Sequence, residues 1–404
     1  MNNLILFIST QFPVPPNRGG RIVTYQHLKS LSGLGKLDIV CFIDPIDKTK
    51  ISTNIQKLNS EIRINTLNIL TKKLYTRNYL LKFFYTYLIS RIKKIPYKIY
   101  KFYDKRMIET IKNQIKRMNY DLIVFDQLPS VLYFDIVSEC NCKKYLLSHN
   151  IEYEIVENLM RNANNSLMNI IYNNEYRLLK RFEISKYKLI KNVLFLSSRD
   201  VDQFDKDGLN ISIYYGYLNH FSNVKRKSNY SLNNQLLFFG NLSWLPNING
   251  IIWFIDNVWR DLHKVNNQLI LNIVGNSPPK KLYSRQKYYS NIVIHGFVNN
   301  LDEIFEKNDM LILPIFEGSG VKLKTIEGIA RAIPLAASNK AIEGIMSYSQ
   351  AGVQINYTKR DFIKHILFIL NSTSLRKDIG RKNYEYYCSL KNNNESYYKY
   401  INEL

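Results

Sequence analysis

The sequence predicts two doubly wound α/β domains in tandem. Three observations carry this. Short apolar runs alternate with longer amphipathic segments, the pattern of parallel strands covered by helices on both faces. The chain has 404 residues, more than one core usually organises. A polar stretch without periodicity, Gly216 to Gln235, divides the runs into two sets.

In the first domain, residues 1–220, candidate strands are Leu4–Ile8, Leu37–Ile43, Leu122–Phe125, Tyr145–Leu147 and Val193–Leu196. Each is a near-continuous Val/Ile/Leu/Phe run of strand length. Between them lie helical patterns such as Ile22–Leu34 and Glu175–Ile190. In the second domain, residues 235–374, the runs are Leu236–Phe239, Leu269–Val274, Ile292–Ile294, Met310–Leu313 and Ile333–Ala336. The tail, 375–404, is helical in pattern and rich in Tyr. It is expected to pack back toward the first domain.

Lys and Arg total 56 against 33 acids, an excess that favours an anionic partner. The chain is also rich in Asn, Lys, Ile and Tyr throughout, and part of the lysine excess is compositional. Of four cysteines only Cys140 and Cys142 are close, a poor zinc signal that fits a reducing compartment. The N-terminus reads as a first buried strand, not a signal peptide. No apolar run reaches the roughly 18 residues of a membrane span.

Chemistry concentrates in "PIFEGSGVKLKTIEGIA", Pro314 to Ala330. In a parallel sheet, ligands sit beyond the carboxyl ends of the strands, where helix N-termini favour phosphate. Gly318 and Gly320, with Ser319 between them, let backbone approach a pyrophosphate. Lys322 and Lys324 supply positive charge, and Glu327 is suited to a ribose diol. The stretch also reads as a Gly-Ser loop with solvated lysines. Walker spacing is absent, which argues against an ATPase. By the same geometry His149, ending "YLLSHN", points into a cleft as a hydrogen-bonding or orienting group, or is a satisfied loop histidine. Asn150 and Glu152 follow as cleft-lining groups. Gly19, Gly20 and Arg21 follow the first strand, either offering N–H groups to donor phosphate or acceptor, or forming a plain turn with Arg21 starting an exposed helix.

"PIFEGSGVKLKTIEGIARAIPLAAS", with "AIEGI" after it, resembles the donor-binding signature of group-1 (family 4-like) retaining glycosyltransferases of the GT-B fold. "LLFFGNLSWLPNINGIIWFIDNVW" resembles the first strand–turn–helix of the same donor domain in a bacterial surface-polysaccharide subgroup, with Gly240 at its turn. "IHGFV" resembles the segment near the donor base, with Gly296 and Phe297. "PVPPNRGGRIVTYQHL" and "LLSHNIEYEIVENL" resemble acceptor-domain segments. The resemblance implies two Rossmann-like domains facing a cleft. It also implies glycosyl transfer from a nucleoside-diphosphate sugar to a hydroxyl, with retention, no metal and no cofactor. Lys322, Glu327 and His149 are then the catalytic candidates. A saccharide, often lipid-linked, is the implied acceptor, and capsule, lipopolysaccharide or related polysaccharide synthesis the implied pathway. The chain departs from the common pattern in two places. The common pattern has two glutamates separated by seven residues, but Ser319 stands eight positions before Glu327, where the first is expected, and the nearest acid, Glu317, is two positions too early. "NLSWLPNING" lacks the usual lysine. A non-catalytic binding protein with a degraded donor site, or a sugar-nucleotide epimerase of the same fold, are the alternatives.

Thr71 to Arg117 carries about fourteen Lys or Arg against two acids, interleaved with aromatics. This reads as binding an anionic membrane surface, which places the protein at the inner face of the cytoplasmic membrane. The other reading is a solvated helix face. Nothing resembles a base-reading module, so nucleic acid is not an expected partner.

Overall fold

Two parallel β-sheets organise the chain, one in each of two compact units: Met1–Tyr217 with Asn394–Leu404, and Leu218–Asn393. The computed structural model describes residues 3–73, 79–161, 163, 165–204, 208–345, 358–393, 397 and 400–401. Residues 74–78 of the basic segment, and 346–357 of the expected second domain, lie outside the described residues.

The first sheet has seven strands. They are β1 (Asn3–Ser9), β2 (Gly35–Ile43), β3 (Ile64–Thr71), β4 (Leu122–Asp126), β5 (Lys143–Leu147), β6 (Asn192–Phe195) and β7 (Asn210–Ile213), in the order β3-β2-β1-β4-β5-β6-β7. The second has β8 (Gln235–Phe239), β9 (Ile270–Val274), β10 (Ile292–Gly296), β11 (Met310–Leu313) and β12 (Leu335–Ala337), in the order β10-β9-β8-β11-β12. Every pair is parallel. The expected class, two Rossmann-like doubly wound α/β domains, is the class the chain adopts. β3 and β7 were not legible in the sequence. Both are edge strands of mixed polar and apolar residues that are only partly buried. An edge strand needs no continuous apolar run.

Each sheet reverses its winding once, between β1 and β4 and between β8 and β11. The central strands are buried along nearly their whole length. Burial on both faces fixes the register, so the residues leaving the carboxyl ends at these reversals are held in place by the core.

The segment read as a loose boundary is pinned within the second unit. Lys227 Nζ donates to the Glu306 carbonyl at 2.6 Å, and Tyr230 Oη to the Ala332 carbonyl at 2.7 Å. The tail divides differently from the expected 375–404. Helix Thr373–Asn392 packs on helix Leu323–Ala330 of the second unit. Its Asn383 amide donates to the Ile333 carbonyl, and Gly380 lies against the Ala332 backbone. Beyond it, Tyr397 and Tyr400 join the first unit, Tyr397 packing on Tyr214 and His27.

Candidate active site

In the second unit, three glycines end three adjacent strands. Gly240 follows β8, Gly275 follows β9, and Gly296 closes β10. Gly240 and Gly296 have φ of +153° and +69°. Gly275 donates to the Gly296 carbonyl at 2.8 Å, and a Cβ on Gly275 would stand 1.9 Å from the Gly240 carbonyl oxygen. The strand ends therefore close into a backbone shelf with no room for side chains. Gly275→Ala is expected to destabilise the protein by about 3 kcal/mol, the upper end for overpacking, because backbone rather than a flexible side chain must yield. Thermal melting against the wild type checks this.

Lys324 comes to this shelf from helix Leu323–Ala330. Its amine would lie 2.9 Å from a Cβ on Gly240. It donates to the Asn247 side-chain oxygen and lies over the Phe238 ring. Burial, with the Lys322 charge added, pushes the amine down to about 7. Asn247 is positioned in turn by its amide on the Asn241 carbonyl at 2.8 Å. Its helix, Leu245–Phe254, is pressed onto the end of β11, where a Cβ on Gly250 would stand 2.0 Å from the Pro314 oxygen.

The loop before helix Leu323–Ala330 turns through Gly318 and Gly320 at φ of +101° and +72°, values that L side chains avoid. Ser319 and Gly320 aim their carbonyls at Lys322, whose Nζ donates to them at 3.1 and 2.6 Å. Glu327 lies one turn along the face that Lys324 starts. Arg331 Nε and Nη2 both reach its Oε1 at 3.2 Å, and no described residue bonds Oε2. Arg331 is also paired with Asp302. Burial raises the Glu327 carboxyl, against the pull of Arg331. Phe297, beside Gly296, is 68% exposed. The structure thus gathers Gly318, Ser319, Gly320 and Lys322 in one loop, and Gly240 with Lys324. Sequence reading missed Asn247 and Gly275. Gly275 ends an apolar strand directly, a signal like the one that drew attention to Gly240.

In the first unit, the reversal between β1 and β4 holds a polar cluster around Asp126, which sequence reading also missed. Asp126 is fully buried. Ser9 Oγ and Thr24 Oγ1 donate to its Oδ2 at 2.7 and 2.8 Å, and His149 Nε2 meets Oδ1 at 2.8 Å. Burial alone would raise this carboxyl. His149 and the two hydroxyls outweigh it and hold it below the ordinary range. The next residue, Gln127, has φ of +67° without being glycine, a strained conformation of the kind found at functional sites. The signal was available: an acid terminating a continuous apolar strand.

His149 is 6% exposed and turned back onto Asp126, so it is more enclosed than a residue simply projecting from the sheet edge. Its neighbour Ser148 bonds Tyr187, whose hydroxyl donates to buried Glu183 at 2.6 Å. Glu183 accepts from the backbone N–H groups of Glu152 and Tyr153 at the start of helix Glu152–Arg161. Gly19 starts helix Gly19–Ser32, and Gly20 lies close to the Gln11 and Gln127 amides. One reading is corrected here. Arg21 does not start an exposed helix: it is buried and paired with Asp47. Glu152 is paired with Lys98 at 2.6 Å. Asn150 accepts from Ser148 Oγ through its carbonyl.

Residues 233–372 match the family model of the group 1 glycosyl transferases. The chain is 25% identical over 386 residues to an uncharacterized 44.6 kDa protein in the cps region of Klebsiella pneumoniae, covering 93% of each. Its fold is similar to Anabaena HepE in complex with UDP, with a TM-score of 0.66, 12% identity and full coverage of both chains. It is also similar to sucrose-phosphate synthase from Thermosynechococcus elongatus, with a TM-score of 0.63, 13% identity and coverage of 96% and 95%.

Proposed function

We propose that this chain, whose residues 233–372 match the group 1 glycosyl transferase family model, moves a sugar from a nucleoside-diphosphate sugar to a hydroxyl of a lipid-linked saccharide, with retention and without a metal. The observation that carries this is the enclosed Lys324 amine beside the side-chain-free shelf at a topological switch point. Such a cation is poised for a ligand bearing concentrated negative charge. The UDP held by HepE supports a nucleotide donor. The cps-region relative supports a role in surface polysaccharide.

In this reading the diphosphate lies against Gly318–Gly320 and the first turn of helix Leu323–Ala330. Lys322 leaves its two loop carbonyls for phosphate oxygens. The base lies by Gly296 and Phe297, whose exposed ring offers a stacking face. Glu327 accepts from the ribose diol through Oε2 while Arg331 anchors Oε1. As the glycosyl bond breaks, charge grows on the departing diphosphate, and fixed cations at that place lower the barrier. His149 bonds a sugar hydroxyl, oriented by Asp126. Gly19, Gly20 and Asn150 contribute backbone groups to the acceptor. Arg21 and Glu152 stay in their ion pairs and shape the segments that carry them.

A panel of nucleotide sugars tested by thermal shift identifies the donor, because ligand binding to the native state raises the melting temperature. With that donor, Glu327→Ala is expected to reduce kcat/KM by about 1.5–3 kcal/mol of transition-state stabilisation, the scale of a hydrogen bond to a charged group. Near-normal turnover by the folded variant refutes the ribose assignment. Donor binding without turnover on any acceptor marks a binding protein instead.

A further inference from the structure

The basic segment does not present its lysines as one solvated face. Lys98 is paired with Glu152, and burial, with Lys98 nearby, lowers the amine of Lys101. One helix of the segment turns an apolar face outward. In helix Tyr79–Ile92, Phe84, Tyr85, Leu88 and Ile92 are 57–78% exposed. Their spacing places them within one third of the helix circumference. The opposite side is tied down, with Phe83 packing on Tyr97 at 4.8 Å and Ser90 buried, and at the flank Arg91 is paired with Glu175. The helix is therefore held in place with its apolar face turned out. Exposed Lys93 and Lys94 follow directly.

Beside this helix lies a pocket of about 430 Å³. Lys72, Lys73, Lys101 and Arg106 line it, with Asp104 as the one acid among its lining residues. Asp104 accepts from Lys72 and from Arg106, and Lys101 feels Glu152 and Glu175 from outside the lining, so within the lining itself four cations stand with one acid. Tyr85 belongs both to the pocket lining and to the exposed face. The two features are one continuous surface, apolar at one edge and cationic at the other.

We infer that this surface docks on an anionic phospholipid bilayer, with Phe84, Leu88 and Ile92 entering the acyl boundary and a headgroup phosphate seated among Lys73, Lys101 and Arg106. The chemistry favours an amphiphile over a protein or a free anion. The surplus positive charge calls for phosphate, and the adjoining apolar face gains only from an apolar neighbour. Among the described residues no helix is long and apolar enough to cross a membrane, so contact of this kind lies in the interface plane. The inference gives the proposed lipid-linked acceptor a place of delivery. Because vesicle binding is measured without turnover, its failure is distinguishable from failure of the glycosyltransferase reading.

The experiment is co-sedimentation of the full chain with phosphatidylglycerol/phosphatidylcholine vesicles and with phosphatidylcholine alone. The wild type is expected to bind the anionic vesicles. Leu88→Ser with Ile92→Ser, at exposed positions, is expected to abolish binding. Lys73→Gln with Lys101→Gln should weaken it about 30-fold, at about fivefold per lysine. Glycerol 3-phosphate should compete more strongly than sodium chloride of equal ionic strength. Equal binding to both vesicle types, or unaltered binding by either double variant, overturns the inference. So does a dimer in lipid-free gel filtration that the serine variant dissolves, since a second copy would then be the occupant. If glycerol 3-phosphate acts only as salt does, the seated phosphate is overturned.

Discussion

Replacing Lys324 by Met is expected to lower kcat by about 100- to 1000-fold in a protein that remains folded. That is the range for removing one fixed group that stabilises charge developing in a transition state. The amine is enclosed at the glycine shelf and held by Asn247, so it needs no reorganisation as the diphosphate departs. Its charge also leaves a pH signature. In the unliganded protein the amine titrates at about 7, against 10.5 ordinarily. Between those values the unfolded chain binds the proton and the native state does not, so this group makes stability rise with pH across the window. The penalty for burying the charge is fully present below about pH 7. Lys324→Met should lack this slope, as urea titrations at pH 6, 8 and 10 will show. A bound diphosphate should raise the amine again. UDP binding at pH 8 is then expected to take up nearly one proton, measured by calorimetry in buffers of different ionisation enthalpy. Full turnover by Lys324→Met, or no proton uptake, removes Lys324 from the phosphate site.

Asp126→Ala is expected to destabilise the first unit by about 3–5 kcal/mol, the scale for losing several hydrogen bonds to a buried carboxylate. The variant takes the shared acceptor from the buried hydroxyls of Ser9 and Thr24 and from the ring of His149, leaving the two hydroxyls only their contacts with Gln11. Asp126→Asn keeps one acceptor and should fall between. The carboxyl is held below its ordinary value by His149 and the two hydroxyls, although burial opposes them. Its contribution is therefore present above about pH 4 and is lost as pH falls through the lowered native value. Urea denaturation at pH 7 and pH 3 tests both statements: the gap between wild type and Asp126→Ala should narrow in acid. An equal gap at both values would show that the carboxylate charge is not what the cluster depends on.

The site was legible where a local rule forces a residue type. Gly318 and Gly320 stand at left-handed backbone positions. Lys322 and Lys324 precede and enter a helix at a strand's carboxyl end. Asp126 and Gly275 obeyed the same strand-end rule and were passed over, because neither sits in a conspicuous run of polar or glycine residues. The partners of Arg21 and Glu152 were not legible at all. Asp47 is 26 residues from Arg21, and Lys98 is 54 before Glu152. Nothing in local periodicity encodes pairings of that range.

The sequence by itself determined the two parallel sheets, because strands buried on both faces must be written as continuous apolar runs between helical periods. It also determined the glycine-rich turn and its cations, because φ above zero and charge are properties of single residues. Only the tertiary structure decided what those charges face. Enclosure made Lys324 a cation titrating near neutrality and set Asp126 behind His149. It also paired Lys98 of the basic segment with Glu152 while leaving Phe84, Leu88 and Ile92 outside. The physical reason is that ionisation and pairing depend on dielectric and distance, which residues far apart in the chain set together.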